Sequence, residues 1–407
     1  MSTQNRLSAD VIIAGGGMIG LSMATALAAG GFEVLVVDAN RPADLLVPEF
    51  DGRVTSLTWG VHAMYRTLGV WEDMGRSASA IQEIRVSDDR APFFLHFDHR
   101  DVGDRPFGFM VENRHIRHAL QAAAERHPDI HLIAPASVVS TELDRGRRQV
   151  VLDDGRELSA PLLIAAEGRH SRLREQAGIR CLAWRYPQDA IVCTARHPND
   201  HENVACEHFL PGGPFALLPM QSTRSAIVWS DRTAAVDAAM ALDRPRFDAA
   251  LNERAGDSLG WLQHEAHRWR FPLGLQNAER YIDERLVLVG DAAHAMHPIA
   301  GQGLNLGLRD VACLAELLVD AARLGQDIGD AGLLTRYQRW RRFDALSMLV
   351  MTDGLTRLFS NANPMLRRLR GLGLGLVNGL PPAKRFFERR AAAMAGDLPR
   401  LVRGEAL

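Results

Sequence analysis

The most constraining feature lies near the start of the chain. Asp10-Val-Ile-Ile-Ala14 is a short, β-branched apolar run, and Gly15-Gly16-Gly17-Met18-Ile19-Gly20 follows it without a spacer. Leu21, Met23, Ala24 and Leu27 then recur at helical spacing up to Gly30-Gly31, and Val34-Leu-Val-Val37 ends on Asp38. A strand, a helix and a strand this close together form a β-α-β unit, in which the two strands are parallel. Glycine at the first, third and sixth motif positions has a physical reading. Gly15 permits a tight turn, Gly17 lets the backbone approach a pyrophosphate, and Gly20 lets helix and strand pack closely. The helix N-terminus favours phosphate charge, and Asp38 is placed to accept hydrogen bonds from an adenosine ribose. An incidental glycine turn would not explain all five parts together. The pattern specifies a dinucleotide without separating FAD from NAD. Gly371, Gly373 and Gly375 also alternate, but no strand precedes them, so they read as helix-packing glycines and only one such unit is expected.

The remaining chain extends this unit. Thr55 to Leu68 and Asn113 to Ala124 read as helices, and Pro161-Leu-Leu-Ile-Ala-Ala166 reads as a buried strand leading into Glu167-Gly168-Arg169. Between about Ala190 and Ser230 the pattern changes to short strands separated by Pro, Gly and polar clusters, which predicts an antiparallel sheet. Leu286-Val-Leu-Val289 restores the parallel-strand signature, and long helical patterns follow. At 407 residues two domains are expected. The predicted architecture is α/β: a discontinuous Rossmann-like dinucleotide-binding domain (1–75, 105–180 and 278–360), an inserted, mainly antiparallel β-sheet domain for substrate (76–104 and 181–277), and a helical C-terminal region (361–407).

A second segment, Gly290-Asp291-Ala-Ala-His294-Ala-Met-His297-Pro298-Ile-Ala-Gly301-Gln302-Gly303-Leu-Asn305-Leu-Gly307-Leu-Arg309-Asp310, runs from a strand into a helix. An acid at a strand end can bind a ribityl hydroxyl, and a glycine-rich turn lets backbone N–H groups crowd a ring edge. The positive end of the next helix can stabilise a reduced flavin. These features suit an isoalloxazine and so favour FAD.

At this point the sequence closely resembles the class A flavoprotein monooxygenases, and within them the ubiquinone-biosynthesis hydroxylases. That family's signature, His-Pro through Gly-Gln-Gly, Asn and Gly to Asp, is matched from His297 to Asp310. Asp51-Gly52-Arg53 is similar to the family's Asp-x-Arg segment, which implies that Arg53 approaches the flavin. Glu112-Asn113-Arg114 resembles its helix entry near the ribityl chain, where either Asn113 or Arg117 contacts FAD. One departure is Glu167, which stands where the family carries Asp in a segment supporting the flavin and NAD(P)H; charge is kept and reach grows by one methylene. Asp353-Gly354-Leu355, Leu358-Phe359-Ser360, Arg370-Gly-Leu-Gly-Leu and Leu380-Pro381-Pro382 resemble the family's C-terminal part.

The resemblance implies a fold like that of p-hydroxybenzoate hydroxylase, with FAD-contacting roles for Asp291, Pro298, Gly301, Gln302, Gly303 and Asn305. It also implies that NAD(P)H reduces FAD and that a flavin C4a-hydroperoxide delivers oxygen from O₂ to the ring of a polyprenylated phenol. A reductase of an isoprenoid or small aromatic metabolite, and a flavin-bearing assembly subunit, are the alternatives. No general base can be read from the sequence.

Composition narrows the partners. The net charge of -2 predicts no nucleic-acid partner. Cys181, Cys193, Cys206 and Cys313 form no close pair, which suits reduced thiols in a cytoplasmic protein. No signal peptide or bilayer-length apolar run is read. Asp291, His294 and His297 could imitate a two-His, one-carboxylate metal site, but structural hydrogen bonding is the preferred reading and no metal is expected. Lys384 is the single lysine beside 46 arginines. Arg367-Arg368-Leu-Arg370 and Lys384-Arg385-Phe386-Phe387-Glu388-Arg389-Arg390 read equally as a peripheral inner-membrane contact, suited to a quinone-biosynthesis complex, and as a solvated helix face.

Overall fold

The computed structural model describes residues 6–45, 52–88, 94–101, 103–265, 267–296, 303–359 and 397–407. Pro298, Gly301, Gln302, Asp51, His297 and the segment 360–396, with its three alternating glycines and arginine-rich stretches, lie outside them.

A six-stranded sheet runs in the spatial order Ile282–Asp283, Leu286–Leu288, Leu162–Ala165, Val11–Ala14, Val34–Val37, Ile130–Ile133. Its last five strands are parallel, and Ile282–Asp283 joins antiparallel at one edge. Every residue of Val11–Ala14, Val34–Val37, Leu162–Ala165 and Leu286–Leu288 is buried, as expected of a parallel sheet covered on both faces. Helix Met18–Ala29 packs between this sheet and helix Gly303–Arg323, which makes it apolar nearly all round. Helix Ala331–Phe359 crosses outside Gly303–Arg323, and the short C-terminal helix Arg400–Arg403 docks beside it through Arg400, whose backbone N–H reaches Glu316 at 2.6 Å.

The antiparallel sheet predicted between Ala190 and Ser230 is present and larger than expected. It has nine strands, antiparallel except for the parallel pair Val204–Leu210 and Glu83–Asp88, and Cys181–Arg196 runs between Trp269–Ala278 and Arg224–Arg232. Its period-2 alternation sorts two environments. Ile191, Cys193, Ala195, Phe215, Leu217, Ile227 and Trp229 face helices Thr233–Met240 and Arg244–Ala255 and form a separate core. The residues between them face the other way, into a cavity.

Two local readings change. The helix expected from Thr55 begins only at Trp59, because Val54–Thr58 is a strand paired antiparallel with Gly108–Glu112. Local helical spacing lost there to a cross-strand partner more than fifty residues away. A four-stranded sheet of Arg6–Ser8, Glu157–Ala160, Arg147–Leu152 and Val138–Asp144 was not anticipated. Its outer strand is largely exposed, so it lacks the apolar run that marks a buried strand. Among the described residues no helix is long and apolar enough to cross a membrane.

Candidate functional site

The fingerprint glycines sit at the C-terminal ends of the parallel strands, where ligands bind in open α/β sheets. Gly15 has φ +105°, and a Cβ on Gly20 would fall on the Gly15 carbonyl oxygen, so the turn and helix can close only without side chains there. Gly16 N–H donates to Asp38 Oδ2 at 2.6 Å, and Asn40 N–H donates to Oδ1 at 2.7 Å, fixing Asp38 at the strand end. Gly17 opens helix Met18–Ala29 with no side-chain cap, and a Cβ there would meet nothing within 4 Å. Unbonded N–H groups at a helix start, facing open space, fit a pyrophosphate.

The two dinucleotide segments touch. A Cβ on Gly307 would stand 2.7 Å from Ile19 Cδ1 and 3.1 Å from the Gly290 Cα. Asp291 follows Gly290 at the end of the strand and is exposed to solvent, yet protein crowds it. Desolvation raises its carboxyl above the usual range, against the pull of His294 and Arg169. An accessible acid in a crowded cleft fits a ribityl hydroxyl, and the residues present therefore fit FAD.

Beneath this turn lies a feature that sequence reasoning missed. Asp310 is fully buried and accepts from Gly290 N–H at 2.9 Å, His294 Nε2–H at 2.7 Å and Arg341 Nε–H at 2.7 Å. Burial alone would raise the Asp310 carboxyl, but His294 and Arg341 outweigh it and hold it below its ordinary value. Arg341 also reaches Asp344 at 2.7 Å, and Asp344 takes Arg309 at 3.1 Å. This ion network fixes the Gly290–Asp291 turn from behind. Asp310 closes the family motif, so its position was visible, but nothing in the sequence paired it with Arg341.

The other expected residues divide by what they touch. Gly303 begins helix Gly303–Arg323. Asn305 is buried, with its Oδ1 accepting Thr58 N–H at 2.9 Å and its Nδ2 donating to Ser56 O at 2.6 Å, so it holds the strand Val54–Thr58. Glu167 Oε2 accepts from Ser171 Oγ at 2.6 Å and Leu173 N–H at 3.1 Å, fastening the turn into helix Arg172–Gln176. Asn113 begins its helix and accepts from Thr55 Oγ1 at 2.7 Å, while Arg117, one turn on, is half-buried.

Arg53 and Asn113 also line a cavity of about 320 Å³ between the nine-stranded sheet and the strands Val54–Thr58 and Gly108–Glu112. Its walls are mainly apolar. Thr58, whose hydroxyl is buried without a hydrogen-bond partner, and Glu207 interrupt them. Among the described residues no side chain or backbone group pairs with Glu207; it is half-buried, open to the cavity, yet crowded by protein, and desolvation pushes its carboxyl up to about 7. This acid escaped sequence reasoning because its apolar surroundings come from strands distant in the chain.

Comparison with known proteins agrees with the geometry. The family model described as FAD binding domain matches residues 8–350. The chain is 44% identical to ubiquinone hydroxylase UbiL of Rhodospirillum rubrum, over 98% of this chain and 94% of that protein. It is 33% identical to 3-demethoxyubiquinol 3-hydroxylase of Escherichia coli K12, over 90% and 93% respectively. The crystal structure of p-nitrophenol 4-monooxygenase PnpA from Pseudomonas putida DLL-E4 superposes with a TM-score of 0.81 at 16% identity, covering 97% of this chain and all of that one, which is a likeness of fold. The chain thus belongs to the ubiquinone-biosynthesis hydroxylase family of FAD-dependent aromatic monooxygenases.

Proposed function

We propose that this chain hydroxylates the ring of a polyprenylated phenol during ubiquinone biosynthesis, with FAD resident, NAD(P)H as reductant and O₂ as co-substrate. The observation that carries this reading is the apolar cavity on the inner face of the antiparallel sheet, bounded by Arg53 and Asn113, the residues expected beside the flavin. Bound FAD supplies the electron transfer and oxygen activation. The protein's own groups do the rest. Gly15, Gly17, Gly20 and Asp38 hold the adenosine diphosphate end, Asp291 binds the ribityl chain, and Arg53, with Asn113 or Arg117, lies along the ring side. Asp310 and Asn305 keep the two walls in register, and the aliphatic lining excludes water from the reacting ring.

At about 320 Å³ the cavity lies near the lower end of ligand pockets and suits one substituted ring. A polyprenyl tail would leave through the cavity mouth, which favours a peripheral position on the inner membrane or within a quinone-biosynthesis complex. We further propose that 76–104 and 181–277 act as the substrate-facing body and that Glu167 supports NAD(P)H approach through the turn it fastens.

The test combines the visible absorption spectrum of the purified protein with quinone analysis in cells lacking it. One FAD per chain and an accumulated precursor short of a ring hydroxyl are expected. A normal quinone pool in those cells would remove the substrate assignment.

A further inference from the structure

Glu207 stands where a carboxylate has no structural reason to be. The register places it in one lateral row across five strands: Val192, Val228, Ala216, Glu207, Val86. The four companions are aliphatic, and three of them, Val192, Val228 and Ala216, line the cavity with Glu207. An apolar residue at 207 would complete the wall and avoid the cost of desolvating an acid. The groups around it do not neutralise it. On its own strand Cys206 reaches the cavity, and the His208 ring bonds Ser87 Oγ through Nδ1 at 2.6 Å. Strand Gly213–Pro219 contributes no titratable group, and on Glu83–Asp88 the charged residue of matching parity is the buried Asp88. Across the cavity the charged residue is Arg53. The unpartnered Thr58 hydroxyl gives the same cavity a second unmet polar atom.

We propose that Glu207 is the proton acceptor for the phenolic hydroxyl of the substrate during ring oxygenation. This rests on the function proposed above. As the ring carbon ortho or para to the hydroxyl bonds to oxygen, a ring electron pair forms the new C–O bond and the phenolic O–H pair becomes C=O. The released proton passes to a Glu207 carboxylate oxygen. Once released to solvent, the resulting dienone loses its ring proton while its carbonyl oxygen takes one up, which restores the aromatic phenol, and Glu207 returns its proton to solvent. The oxygen atom comes from O₂, whose second atom leaves as water at the expense of one NAD(P)H and one proton. An acid lifted to about 7 by desolvation suits this task, because about half of it is ionised at neutral pH and it is basic enough to take a proton as the ring becomes electron-poor.

The test uses the FAD-loaded full chain, a short-chain 2-prenylphenol and the variants Glu207→Gln and Glu207→Asp. For the native protein kcat/KM should rise with pH and level off above about 7. Glu207→Gln should lower kcat by roughly 10²–10⁴-fold, abolish that pH limb and leave KM within about threefold. Glu207→Asp should restore part of the rate together with the limb. Ring-fluorinated phenols that ionise near neutral pH should rescue Glu207→Gln more than the native protein, since they need no acceptor. Retention of both rate and pH limb in Glu207→Gln, or equal response of the two proteins to fluorination, would overturn the proposal. Failure of the native protein to hydroxylate any phenol would instead overturn the underlying function. FAD content and thermal unfolding of each variant report whether it folds.

Discussion

Asp310 and Glu207 are two carboxylates enclosed by the same chain, and they meet opposite fates. Asp310 lies under the dinucleotide turn with three hydrogen-bond donors, and its charge is held in place. Glu207 lies in the cavity wall with no partner among the described residues, and its charge is pushed out. Burial penalises both, so the difference comes from the donors that surround each one. The fold uses the first to fix geometry and leaves the second available to a ligand.

Removing a satisfied group should therefore cost stability, and removing the unsatisfied one should add it. The largest effect is expected from Asp310→Ala, which leaves the buried Arg341 with Asp344 as its remaining anionic partner and should lower the unfolding free energy by about 3–5 kcal/mol, with loss of bound FAD. Denaturant unfolding and flavin absorbance measure the two. Adding Arg341→Met should recover part of that loss, because the under-compensated buried charge carries much of it. Asn305→Ala leaves Thr58 N–H and Ser56 O unpaired and should cost about 2–3 kcal/mol, read from the same unfolding curves.

Glu207→Leu should act in the opposite direction. The folded value of about 7 lies above the ordinary 4.5, so the native protein is penalised progressively as pH rises from about 4.5 through about 7. The variant should match native stability near pH 4 and exceed it by about 1–3 kcal/mol at pH 8. Equal stability at both pH values would mean that Glu207 is already satisfied. The smallest effect is expected from Ser171→Ala, which removes the side-chain cap of helix Arg172–Gln176 and one donor to Glu167 and should cost about 1 kcal/mol without loss of FAD.

Legibility in the sequence followed the range of the interactions. The β-α-β unit from Val11 to Asp38 could be read because strand, glycine turn, helix and acid are adjacent in the chain. The segment from Gly290 to Asp310 could be read as a motif, but Asp310's clamp depends on Arg341, thirty-one residues later. Thr55 to Thr58 was misread as helix because its partner strand, Gly108–Glu112, lies far away. Glu207 was least legible: its meaning comes from Val192, Val228, Ala216 and Val86, which share a row only after four strand pairings form.

The most direct test of the proposed activity is mass analysis of the product formed by the FAD-loaded protein from 2-prenylphenol under ¹⁸O₂. One ¹⁸O atom in the ring product for each NAD(P)H consumed is the predicted result. NAD(P)H oxidation that yields an altered product without ¹⁸O would contradict hydroxylation and identify the chain as a flavin-dependent reductase or dehydrogenase.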